Sequence, residues 1–151
     1  MAPLTYGVIA ALAMSGFLVG STAARYAIVR WGIEKNILLS LLIMLGASAI
    51  LLGMGVLGWL PAILIVALQF AIWFGGGFLA PNTAAGVMMS HPRAAGAAAA
   101  VLGFVQMCSA AVIVLLQGLL YDGTVFPMVG IQFILGLVTL IIWNHLKRYA
   151  V

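Results

Sequence analysis

Residues 36–57 read NILLSLLIMLGASAILLGMGVL, 22 positions without a charge. At about 1.5 Å of rise per residue such a stretch makes a helix of about 33 Å, matched to a hydrocarbon core of about 30 Å. Its only polar residues past Asn36 are Ser40 and Ser48, so no side of the helix is built for water. An uninterrupted apolar run of this length reads as a membrane-spanning helix. Asn36 is read as its N-cap. Working backwards, Arg25, Arg30, Glu34 and Lys35 form a polar gap; working forwards, Gly58-Trp59 is a short turn.

Four further apolar runs flank this one. The first covers residues 4–24. The third starts near Leu60, with Pro61 in the first turn where its missing N–H costs nothing. It spans 60–80 and continues toward 89, interrupted by Gly75, Gly76, Gly77 and Pro81. A kinked helix whose end tilts or leaves the hydrocarbon is expected there. The fourth covers 94–120, with Ser90 as its cap and Pro92 at its start, and the fifth covers 126–143. The predicted fold is all-α: one domain, 1–151, a polytopic transmembrane bundle of five spans.

The whole composition agrees. Of 151 residues 66% are hydrophobic and 5% charged, and the mean hydropathy is +1.31, whereas a soluble domain is about a quarter charged. Membrane lipid is therefore the expected partner of most side chains. The net charge of +4 is spread over six separated Lys and Arg and forms no basic stripe, so nucleic acid is not an expected partner. Cys108 is alone, which leaves no disulfide framework, and it is read as a small buried residue. The start of the chain lacks a basic n-region, so no cleavable signal peptide is expected.

Five spans force the loops onto alternating sides, and the basic residues then sort cleanly. Arg25, Arg30 and Lys35 follow the first span, Arg93 the third, and Lys147 and Arg148 the fifth, all on one side. That side is predicted to be cytoplasmic, with the N-terminus outside and the C-terminus inside, in a bacterial inner membrane. Two crossings within 60–89 would carry Arg93 outside and weaken the pattern. Trp31, Trp59, Trp143, Tyr6 and Tyr121 fall near span ends, as an interfacial aromatic belt requires.

Helices in lipid associate through small residues and scattered polar contacts. Gly16 and Gly20, with Ala13 nearby, provide one small face, and Gly96, Ala100 and Gly103 another. No Asp, Glu, Lys, Arg or His lies within a span, so no catalytic residue and no enzyme activity are expected. His91 and His145 have no second ligand at metal spacing, so no metal site and no cofactor are expected. The polar set expected to be buried is Gln69, Asn82, Gln106, Ser109 and Gln117, with Gln132 and Asn144 in the last helix. Each should face the bundle interior or a cavity, because an unpaired amide in lipid is costly. Interhelical hydrogen bonding is the plain role for them. For substrate contact the preferred candidates are Gln69 and Gln106, mid-span on different helices, with Trp73, Asn82 and Phe104 beside them in a mostly apolar pocket.

Two stretches carry a family resemblance. Tyr6-Gly7 through Gly20-Ser21, then Arg25, Arg30 and Gly32, resembles the helix and loop after the opening helix of the C-terminal half of major facilitator transporters. Pro81-Asn82, Pro92-Arg93-Ala94-Ala95-Gly96 and Leu102-Gly103-Phe104-Gln106 look like the segment joining the tenth and eleventh helices of Bcr/CflA-type multidrug efflux transporters. Ala24 precedes Arg25 where the family's acidic-basic loop motif would place Asp. The resemblance implies helices eight to twelve of a proton-coupled exporter of drugs or small metabolites. It further implies that such a portion does not transport by itself and that its partner is the remaining N-terminal part of the transporter. The alternative is a small membrane interaction or scaffold protein that pairs with another helical bundle.

Overall fold

The computed structural model describes residues 3–90 and 92–149, with side chains described for 7–90 and 92–146. Four helical runs occupy nearly all of it: α1 (Pro3–Val56), α2 (Ala62–Ser90), α3 (Ala95–Leu119) and α4 (Phe126–Tyr149), with one 3-10 turn at Pro92–Ala94. All four are long and apolar enough to cross a membrane.

The run α1 is two helices. Gly32, at φ 77° and ψ 171°, breaks it, in a region of backbone space essentially closed to residues with a Cβ. The arms 3–31 and 33–56 fold back beside each other, as their contacts with α2 establish. Phe74 lies against Gly16 and Gly20 of the first arm; its neighbour Gly75 abuts Ser40 and Met44 of the second. A straight helix of that length would measure about 81 Å and could not meet one level of α2 from both sides. Five helical arms therefore build the bundle. The polar gap predicted across Arg25 to Lys35 is instead helical up to one residue either side of Gly32, because a single glycine supplies the whole reversal.

The first arm packs on α2 through a stripe of small residues, Ala13, Gly16, Gly20 and Ala24, all buried. Their spacing of three and four puts them on one side of the helix. With no side chain at Gly16, Gly20 and Gly77, the backbones of Phe70, Phe74 and Phe17 come into direct contact with them. This close approach gains dispersion contacts where lipid offers no hydrophobic drive. The second arm contributes Leu41, Ala47 and Leu51 to the core, and α4 adds Val129. Against this second arm α4 runs antiparallel: Gly136 rests on Leu45, and Gly55 faces the Phe126 ring. The last turn of α4 thereby returns to the Gly32 end.

Helix α3 is different. It contains no buried residue, and Gly96 and Gly103 have nothing within 4 Å of where a Cβ would sit. The small-residue face expected there meets no other helix of this chain. Cys108, expected to be buried, is exposed on it.

Other expectations also change. Asn36 is no N-cap: it lies inside α1 and is wholly buried, since the helix already starts after Gly32. Ser90 closes α2, bonding back to the Gly86 carbonyl at 2.9 Å, and α3 has Ala94 at its N-cap with no side-chain cap. The third span is one helix of 29 residues, running through Pro81 past the 60–80 core to Ser90. The turn before it is a Schellman motif: Gly58 takes φ 71°, and Trp59 N–H bonds the Met54 carbonyl at 3.2 Å.

The backbone positions of all six basic residues thus gather at the Gly32 end, and Asp122 lies at the other. Arg25, Arg30 and Lys35 flank Gly32, Arg93 joins α2 to α3, and 147–148 lie in the last turn of α4. The side chains of Tyr6, Lys147 and Arg148, and His91 altogether, are outside the described residues. Trp31, Trp59 and Tyr121 are more than half exposed near helix ends, and the half-buried Trp143 has an indole N–H without a partner.

Candidate binding cavity

At the Asp122 end the first arm, α2, the last turn of α3 and the first turn of α4 diverge around a cavity of about 670 Å³. Ala10, Ala13 and Met14 close one side; Ile65, Val66, Gln69 and Trp73 of α2 form the wall opposite. The polar groups are few: Gln69 and Gln117, with Tyr121 and Thr124. Among the described residues no Asp, Glu, Lys, Arg or His lines it. This pattern, an apolar chamber with a handful of hydrogen-bonding groups, is that of a small-molecule site.

Gln69 projects from the second turn of α2, and its Oε1 is buried without a hydrogen-bond partner. An unpaired amide acceptor is costly in an apolar setting. Trp73 lies one turn further along the same side of α2. Phe17 holds its ring edge to face, centroids 6.5 Å apart at 77°, a favoured aromatic geometry that fixes one wall.

The floor is set by the loop between α3 and α4. Asp122 Oδ1 accepts hydrogen bonds from the Thr124 N–H at 2.9 Å and the Thr124 hydroxyl at 2.6 Å. The same hydroxyl accepts from the Phe126 N–H at 3.3 Å, capping α4. Gly123 takes φ 84° between them. The Thr124 hydroxyl bond, then its N–H bond, hold the exposed Asp122 carboxyl below its ordinary pKa. The loop is thereby tied while Tyr121 and Thr124 face the cavity.

The other candidates lie elsewhere. Phe104, 71% exposed, and Gln106 occupy the outward surface of α3 and line none of these recesses. Asn82 is buried toward the other end, its Nδ2 donating to the Phe78 carbonyl at 2.6 Å and its Oδ1 unpartnered. Arg25 and Arg30 line a separate recess at the Gly32 end, and Arg93 is exposed in the 3-10 turn. Gln117 shares the cavity with Gln69 where Gln106 was expected, for a reason of register. In the α2–α3 hairpin, residues at equal distance from the turn share a level. Gln69 stands 23 residues before Pro92, whereas Gln106 stands 14 after it and Gln117 25 after. Counting from Pro92 would have selected Gln117. Among the described residues no three His, Cys, Asp or Glu come together.

These helices have the build of a multi-pass membrane protein. Comparison with protein-family models, with curated proteins and with solved structures finds no match to this chain.

Proposed function

We propose that the chain is the part of a drug or small-metabolite exporter equivalent to helices eight to twelve of a Bcr/CflA-like transporter, and that it does not transport by itself. The observation that carries this reading is the cavity of about 670 Å³ with two glutamines, an aromatic wall and no charge. Such a chamber suits an uncharged, largely apolar molecule bearing a hydrogen-bond donor for Gln69. Proton coupling needs a membrane-embedded acid, and the spans here hold none. That acid belongs to the remaining helices of the transporter. The six basic residues at the Gly32 end support the reading of that end as cytoplasmic, by the positive-inside rule, in a membrane we take to be a bacterial inner membrane.

The test is a drug-accumulation assay in cells expressing these 151 residues alone. No energy-dependent efflux is expected; efflux by the isolated chain overturns the assignment of coupling to other helices.

A second reading, a membrane interaction protein that docks another helical bundle, is favoured by the bare surface of α3. Cys108 reports on both readings. In the chain alone a tryptophan placed there by C108W should be quenched strongly by brominated lipid. Shielding by an N-terminal transporter part supports the exporter, and shielding only by an unrelated bundle supports the interaction protein.

A further inference from the structure

The Gly32 end holds a second recess, of about 730 Å³, between the two arms of α1 and α2. Ala23 and Ala27, one turn apart, leave it open, and Phe74, Phe78 and Leu39 wall it. Arg25, Arg30, Tyr26 and Trp31 also line it, all four exposed. Its two regions differ in chemistry. Arg30 and Trp31 stand at the reversal and Arg25 and Tyr26 about 7 Å further in, with no carboxylate among the described lining residues. Further in, the surface is apolar as far as Phe74, which lies at the level of Gly20. Trp31 is 11 residues from Gly20, so the whole recess is about 16 Å long, and its part beyond Arg25 about 7 Å.

We infer that this recess holds one anionic phospholipid, its phosphate between Arg25 and Arg30 and an acyl chain along Phe78 and Phe74. A free phosphate has no use for the aromatic slot. An apolar drug has none for two guanidiniums. A zwitterionic lipid brings a cation against them. Arginine forks bind phosphate oxygens in pairs, and Trp and Tyr rings settle at headgroup depth. Glu34, at the same end, is not among the residues lining the recess. The inference rests on residence in a bilayer and is independent of the exporter reading, so failed transport does not touch it.

The experiment is native mass spectrometry of the full chain in detergent, titrated with phosphatidylglycerol or phosphatidylcholine of identical acyl chains. One retained phosphatidylglycerol per chain is expected, in preference to phosphatidylcholine. At about 1 kcal/mol per basic residue, R25Q/R30Q should weaken phosphatidylglycerol about 30-fold and leave phosphatidylcholine unchanged. Filling the slot with A27L should weaken it about tenfold with both arginines intact. R25K/R30K should retain part of the preference, and K35Q/R93Q, which removes charge from the same end but outside the recess, should keep it within about threefold. Circular dichroism establishes that each variant is folded; if R25Q/R30Q is not, A27L and K35Q/R93Q decide. Equal retention of the two lipids by the wild type overturns the site. So does equal loss in K35Q/R93Q and R25Q/R30Q, which would mark diffuse attraction. Displacement of the lipid by inorganic phosphate at equal concentration would mark a free-anion site and overturns it too.

Discussion

The Phe74 carbonyl lies directly against Gly20, where any side chain would displace the α2 backbone. A methyl group there cannot be absorbed by a flexible neighbour, because the opposing atoms are main chain. The G20A variant should therefore lose about 1–3 kcal/mol of bundle stability, the usual cost of overpacking. G103A, with open space around it, should stay within about 0.5 kcal/mol of the parent. Unfolding of both variants in detergent or bicelles checks the contrast, and equal destabilisation would contradict the packing described.

Gly32 stands alone at the reversal of α1. Its φ and ψ are those of a residue without a Cβ, so G32A should cost about 1–3 kcal/mol by strain alone. The melting temperature should fall, and the two arms should separate at their Gly32 end. Spin labels at Val29 and Glu34, both exposed, would record that separation. An unchanged distance and melting point would mean that the reversal does not depend on this glycine.

Asn36 is wholly buried with both amide atoms unpartnered. An unmade buried hydrogen bond costs about 1–3 kcal/mol, so N36V, branched and only slightly larger, should be as stable as the parent or more stable by up to about that amount. A marked loss of stability in N36V, with N36A no better, would show that the amide has a partner in the membrane-embedded protein.

Gln69 and Gln117 share the cavity, and Gln106 does not. In an exporter containing all its helices, Q69L and Q117L should each weaken an uncharged donor-bearing ligand about tenfold, one hydrogen bond's worth. Q106L should leave affinity unchanged. Quenching of Trp73 fluorescence, the other tryptophans replaced by Phe, gives the readout.

Asp122 sets a pH dependence whose sign follows from its two bonds to Thr124. Its folded pKa is lowered, so the contribution is fully present above the ordinary aspartate pKa and fades as pH falls through the folded value. The loop should therefore loosen only under acid conditions below the usual aspartate range. Hydrogen exchange at the Thr124 amide should rise there in the parent and be pH-independent, beyond intrinsic chemistry, in D122N.

Much of the architecture was legible before folding, and the failures share a cause. The five apolar arms and the one-sided basic residues depend on chain order, which lengths and charges reveal. The caps proposed at Asn36 and Ser90 failed because backbone reversals at Gly32 and the Pro92 turn absorb the ends those caps would serve. Gln106 was favoured over Gln117 for being mid-span, but the cavity opens near the helix ends.

From the sequence alone followed an all-α membrane bundle, with its basic residues at one end and few polar groups inside, because a hydrocarbon solvent imposes length and composition on each span. Which side of each helix turns inward was decided only by the tertiary structure. A helix apolar all round carries no amphipathic signal to orient it. Contact between backbones, Gly20 on Phe74 and Gly77 on Phe17, selects the packed faces, and those faces in turn bring Gln69 and Gln117 to one cavity and leave most of α3 exposed.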